Sequence, residues 1–135
     1  MKRATPLITV SRIEDCLPFW TALGFEVTTT VPHEGAIGFA MLNKGAVELM
    51  YQSRASVQDD LGSSGAPSTL AAELEESSAA LFVEAETLEP VIEALSGVEV
   101  VVPRRETFYG MDEVFLRAPC GTIVGFAARL PTDAE

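Results

Sequence analysis

Glu48 interrupts an otherwise apolar run, Ala46-Val47-Glu48-Leu49-Met50. A carboxylate there could pair with a cationic or hydrogen-bonding group on a ligand, because an unpartnered buried charge is expensive. Period-two alternation along a strand could equally turn it to solvent. Phe108 and Tyr109 adjoin in a polar stretch just before Gly110. A flat ring with a polar tip suits a heteroaromatic or cationic guest. Glu113 lies four residues on and either lines the same surface or hydrogen-bonds loop backbone. The single histidine, His33, sits beside Glu34 in Pro32-His33-Glu34-Gly35. Adjacent turn residues point apart, and no third partner is evident, so no acid–base pair is expected there. Cys16 and Cys120 lack metal-type spacing and read as reduced thiols. Cys120 lies near Arg117, but no general base is near it in sequence. No phosphate-binding loop, dinucleotide fingerprint, serine elbow or zinc cluster is present.

Charge narrows the ligand classes. The net charge is −11 over 135 residues. Between Arg54 and Arg104 there is no Lys or Arg, and ten acids fall in that stretch. Such a field opposes binding to nucleic acid or anionic lipid and attracts cations. It also serves solubility, or a basic protein partner. No apolar run approaches the ~20 residues that span a bilayer. The basic N-terminus has no signal-peptide apolar stretch, so a cytoplasmic location is expected.

The elements that must position these groups occur twice. Residues 8–27 read ITVSRIEDCLPFWTALGFEV, and residues 81–100 read LFVEAETLEPVIEALSGVEV. Each copy has a β-branched run ending in Val10 or Val83, a helical stretch with Pro18 or Pro90, and then Gly24 or Gly97. Strands are expected near 6–10, 25–31, 36–42 and 46–51, then 79–84, 98–102, 111–117 and 122–128. Ser11 with Glu14 reads as a helix capping box. Pro18 is expected to kink the first helix, and 88–95 reads as the second. Residues 32–35 read as a turn and 103–109 as a loop. A Ser/Gly/Asp-rich linker covers 53–78, with a short helix capped by Ser68-Thr69. The layout is a single domain over 1–135, with module one at about 5–52 and module two at about 79–128. Phe39, Met41, Met50, Phe115 and Phe126 are strand residues and mostly core, with some lining the concave face if there is a cavity.

Three pieces in this duplicated frame resemble the vicinal-oxygen-chelate superfamily of glyoxalases, extradiol dioxygenases and bleomycin resistance proteins. They are PFWTALGF at 18–25, the turn before Tyr109-Gly110-Met111 with Glu113, and FLRAPCGTIVGF at 115–126. The order and spacing are most similar to the bleomycin-resistance branch. The resemblance implies an α+β fold of two tandem βαβββ modules with curved mixed sheets, paired as a homodimer. It places Glu48 toward a ligand cavity and Tyr109 against the ligand; Phe108, Glu113, Phe39 and Met50 are the further candidate contacts.

Metal enzymes of that superfamily draw ligands from four strand positions. By resemblance these fall at Thr5, Glu48, Ser78 or Ala79, and Gly125. Only Glu48 is a strong donor, and one carboxylate does not hold a divalent ion. The expectation is a binding protein with no metal and no cofactor. It sequesters a small organic ligand, aromatic or cationic, of drug-like or metabolite type. The alternative is a lyase, isomerase or dioxygenase that uses a metal with altered ligands.

Overall fold

The internal repeat is visible in the strand pairing. The structure, a computed structural model, describes residues 2–77 and 79–132, the Cys120 side chain excepted. The chain divides between residues 78 and 79 into two units. Each unit holds one four-stranded mixed sheet. The first contains β1 (Leu7–Val10), α1 (Leu17–Thr21), β2 (Glu26–His33), β3 (Ala36–Lys44), β4 (Val47–Ser53), α2 (Arg54–Gly62) and α3 (Leu70–Glu75). The second contains β5 (Leu81–Glu84), α4 (Glu89–Ala94), β6 (Val100–Glu106), β7 (Met111–Arg117) and β8 (Ile123–Arg129). Strand orders are β1-β4-β3-β2 and β5-β8-β7-β6. In both, the parallel pair matches residue i with residue i+43, as in Val10 with Ser53 and Val83 with Phe126. The duplication read from the sequence is therefore a duplication of register.

In the first unit, Ala40, Leu42, Leu49 and Tyr51 alternate onto the core face. Ile13, Phe19 and Trp20 join them in the core. Trp20 is wholly buried, with Phe19 and Phe25 edge-on, each at a centroid distance of 5.0 Å. Its indole N–H donates to the buried Tyr51 hydroxyl at 2.7 Å. Pro18 stands in the first turn of α1, after a separate 3-10 turn at Ile13–Asp15. The chain breaks before the proline instead of kinking at it, because the first turn tolerates a missing N–H.

The Ser11 capping box does not form. Arg12 occupies the N-cap without a side-chain bond, and Glu14 accepts the backbone N–H of Ile37 on β3 at 2.8 Å. β2 runs on through Pro32 and His33, and only Glu34 and Gly35 make the turn. Both have positive φ, 50° and 80°, as a tight two-residue hairpin requires. The region expected as a linker is largely helical. Ser53 caps α2 through a bond from the Ser56 N–H, and α3 packs on α2 and β1.

In the second unit, Val114, Leu116, Val124 and Phe126 form the core with Leu88, Val91 and Leu95 of the α4 segment. β6 continues through Pro103 to Glu106, where a loop was expected. It is an edge strand, and a proline is tolerated there because one row of its N–H groups has no partner strand. Among the described residues, no helix is long and apolar enough to cross a membrane.

Candidate functional site

The first sheet gathers three of the expected residues on one face. β3 and β4 pair Phe39 with Gln52, Met41 with Met50, and Asn43 with Glu48. All six side chains point away from the core face, since they alternate with Ala40, Leu42, Leu49 and Tyr51. Leu7 of β1 pairs with Met50 and extends the same apolar floor. Phe39, Met41 and Met50 are half-buried, and Leu7 is exposed. At one end, Gln52 donates to Ser56 of α2 at 3.1 Å. Gln52 and Thr9 are buried there, so the helical segment read as a linker closes that end of the face.

Glu48 stands at the other end and is already well bonded. Thr5 Oγ1 and Arg3 Nη1 donate to its Oε1 at 3.0 and 3.1 Å. Asn43 Nδ2 donates to its Oε2 at 3.0 Å. The Asn43 amide is oriented in turn by Thr28, whose hydroxyl donates to its carbonyl oxygen at 2.6 Å. The Asn43 bond, then Thr5 and the Arg3 charge, hold the Glu48 carboxyl below the usual glutamate range. Its side chain keeps 17 % of its surface exposed to solvent.

Thr5 and Glu48 adjoin, as the superfamily resemblance implies for two metal positions. They do not make a metal site. One is a hydroxyl, the other's two oxygens already accept three hydrogen bonds, and Arg3 supplies the counter-charge. Ala79 and Gly125 carry no donor side chain, and Ser78 lies outside the described residues. Taken by register, the counterpart of Glu48 is Gly121, and Gly125 corresponds to Gln52. Neither glycine offers a ligand.

The second sheet assembles Tyr109, Glu113 and a residue the sequence reading passed over, Arg105. Glu113 is fully buried. Arg105 Nε and Nη2 donate to its Oε1 at 3.0 and 2.6 Å, and the Tyr109 hydroxyl lies 3.0 Å from both of its oxygens. The side chain of Glu113 thus bonds other side chains, where loop backbone was one expected partner. This carboxylate holds the Arg105 guanidinium above its ordinary range. Arg105 pairs with Glu113 across β6 and β7. That register was legible in principle, since both flank the Thr107–Gly110 turn, but it needs β6 to extend past Pro103.

Two positions along β7, Phe115 faces the same way as Glu113. Its ring covers Gly125 and lies 6.3 Å from that of Phe82. Phe82 and Tyr109 are each about half exposed, and Phe108 is fully exposed. The rings of Phe108 and Tyr109 meet edge to face at 5.0 Å.

His33 has a partner that the sequence reading denied it. Its Nε2 lies 2.9 Å from Asp59 Oδ2 on α2 and 3.8 Å from Glu34 Oε2. The acidic stretch is also less bare than its sequence suggests. Glu75, Glu84, Glu89 and Glu99 pair with Arg54, Arg129, Arg104 and Arg117 from outside it.

No family model and no curated protein matches the sequence. Solved structures do match its fold. A glyoxalase/bleomycin resistance protein/dioxygenase from Nocardioides is 20% identical, over 100% of this chain and 90% of that one, at a TM-score of 0.66. The bleomycin resistance determinant encoded on transposon Tn5 is 15% identical, over 96% and 98%, at 0.66. A bleomycin-binding protein from Streptomyces verticillus, complexed with copper(II)-bleomycin, is 19% identical, over 95% and 96%, at 0.60. The resemblance carried by the sequence motifs is borne out in the fold. This chain is built as the glyoxalase, bleomycin-resistance and dioxygenase proteins are.

Proposed function

We propose that this protein binds and sequesters a small, flat organic molecule without making or breaking its bonds. The observation that carries this reading is a set of aromatic rings kept at the surface. Tyr109 and Phe82 are half exposed on or beside the sheet face opposite the core, and Phe108 is wholly exposed at the hairpin tip. Rings at a hairpin tip and on an open sheet face are placed to meet a guest. The Tyr109 hydroxyl bonded to Glu113 orients its ring before any ligand arrives. Proteins of this fold include ones that bind bleomycin, which supports a binding role. Fold alone does not assign the ligand.

The bonding pattern favours a guest held by stacking and apolar area over one held by an ion pair. Glu48 and Glu113 already have guanidinium partners, so a cationic group would have to displace one. Covering the open half of one ring, about 100 Å2, contributes about 2.5 kcal/mol. Stacking adds about 0.5–1.5 kcal/mol. Phe39 and Met50 offer a second apolar face, with Glu48 as its hydrogen-bonding end. In this reading the binding species is a homodimer.

A thermal-shift screen of glycopeptides, aromatic amines and aldehyde adducts, with and without divalent ions, identifies the guest. Calorimetric titration of the hit then compares the parent protein with Tyr109→Ala. A loss of affinity of about tenfold or more is expected, since 1.4 kcal/mol is tenfold. Unchanged affinity refutes the Tyr109 site. Mass spectrometry that finds the guest chemically altered refutes sequestration without chemistry.

A further inference from the structure

We propose that His33, Glu34 and Asp59 form a binding site for a divalent transition ion of the zinc type on the first unit. The three donor atoms all lie within 4.8 Å of one another. His33 Nε2 is 2.9 Å from Asp59 Oδ2 and 3.8 Å from Glu34 Oε2. Ligands at about 2.05 Å from a tetrahedral zinc ion stand about 3.3 Å apart. One of these spacings must open by about 0.4 Å and the other close by about 0.5 Å to meet that value. Side-chain rotation supplies such shifts, because the Glu34 and Asp59 side chains are mostly exposed.

The anchor of the set is an imidazole, and the fold places it there. The β2–β3 register shifts between Val31 and Pro32, leaving Gly38 as the extra residue of β3. A side chain at Gly38 would put a carbon 2.5 Å from His33 Cβ and 3.3 Å from Ser56 Cβ. The missing side chain lets the end of β2 close on the first turn of α2. Asp59 then comes one turn further along α2 to meet the ring. The tight turn at Glu34-Gly35 brings the second carboxylate back to the same nitrogen.

Chemistry selects the ion. One nitrogen and two carboxylate oxygens suit zinc, nickel, cobalt or copper. Calcium and magnesium prefer all-oxygen shells, with six or more ligands. Three protein donors leave positions for water, so the ion would exchange readily. Among the described residues, no Lys or Arg forms an ion pair with Glu34 or Asp59. Two carboxylates that flank one imidazole thus lack a permanent counter-cation. The site is separate from Glu48. The pairs His33–Ala36 and Asn43–Glu48 mark opposite ends of β3, about 24 Å apart at about 3.4 Å per residue.

The chain has one histidine, so tag-free protein gives a single imidazole signal. Zinc chloride is titrated into it by calorimetry and by NMR of the His33 ring. One-to-one binding with Kd below about 100 µM is expected, with a saturating shift of the ring signals. Loss of binding in His33→Ala and weakening of about tenfold or more in Asp59→Asn are expected, with Cys120→Ser unchanged. Asp59 is exposed and His33 half-buried, and circular dichroism verifies that the variants fold. The proposal is overturned by no saturable binding, by binding that survives His33→Ala, or by binding lost in Cys120→Ser.

Discussion

Removing the Tyr51 hydroxyl should destabilise the first unit by more than an average hydrogen bond is worth. Tyr51 lies on β4 with its side chain on the core face, between the Met50 and Gln52 positions of the opposite face. Its hydroxyl accepts from the Trp20 indole N–H at 2.7 Å, and both side chains are fully buried. A typical bond made on folding contributes about 0.5–1.5 kcal/mol net, because water supplies the alternative. Tyr51→Phe instead leaves the indole donor without this partner and out of reach of water. The expected cost is therefore about 1–3 kcal/mol. Trp20→Phe removes the donor and opens a cavity beside Phe19 and Phe25, which should cost about 2–4 kcal/mol. The double variant has no stranded indole N–H. It should cost less than the sum of the singles by about 1 kcal/mol or more. Urea unfolding measures all four proteins. Trp20 is the single tryptophan, so its fluorescence reports the first unit in the parent and in Tyr51→Phe. Circular dichroism serves the variants without it. A cost under about 0.3 kcal/mol for Tyr51→Phe, or strict additivity, would refute the argument that this bond ties α1 to the sheet.

Gly125→Ala should destabilise the second unit by about 1–3 kcal/mol, because the added carbon would lie 2.6 Å from the Phe115 ring. Phe115→Leu in the same chain should recover part of the loss, and urea midpoints measure both. Stability should also fall in acid. Glu14 is held low by the Ile37 N–H, Glu48 by Asn43, and Glu89 and Asp112 by Arg104. A carboxyl depressed in the folded state contributes stability above its unfolded value, and that contribution is lost as pH falls through the folded value. Urea midpoints should hold down to about pH 5 and decline below it, less steeply in Asp112→Asn. A flat profile to about pH 3 would contradict these ion pairs.

Most of the frame was legible from the sequence, for local reasons. β7 was read at its observed ends because Gly110 and Pro119 bracket the run Met111–Arg117. The α4 helix was marked by Pro90 near its start and Gly97 beyond its end. The errors have local reasons too. Pro32 and Pro103 were taken as strand terminators, yet both lie on edge strands, where a missing N–H has no ladder bond to lose. That misreading placed His33 in a turn and hid Arg105 from Glu113. The α2 helix was missed because Ser, Gly and Asp dominate its neighbourhood, and its stability comes from the Ser53 cap and the burial of Val57. With α2 absent from the reading, Asp59 could not be brought to His33. Glu14 matched a capping motif by spacing, but its carboxylate goes to a backbone N–H on β3 that no local pattern shows.

The register explains why two copies of one unit do not make two copies of one site. Aligned on the parallel pairs, Gln52 corresponds to Gly125, and their partners Phe39 and Phe115 correspond to each other. The phenylalanine in mid-face is thus common to both sheets. What differs is the end of the strand where polar groups gather around a carboxylate. In the first sheet they lie toward the β3–β4 turn, where Asn43, Glu48, Thr5 and Arg3 meet. In the second the β7–β8 turn holds Pro119 and Gly121, and the polar set lies at the start of β7, where Arg105, Glu113 and Tyr109 meet. Each set satisfies its buried or half-buried carboxylate internally, so neither face presents a bare charge. Under the proposed binding role, a guest would find a phenylalanine in mid-face on either sheet but different hydrogen-bonding ends. Discrimination among ligands would then rest on the ends, where Glu48 and Tyr109 are the groups left partly open to solvent.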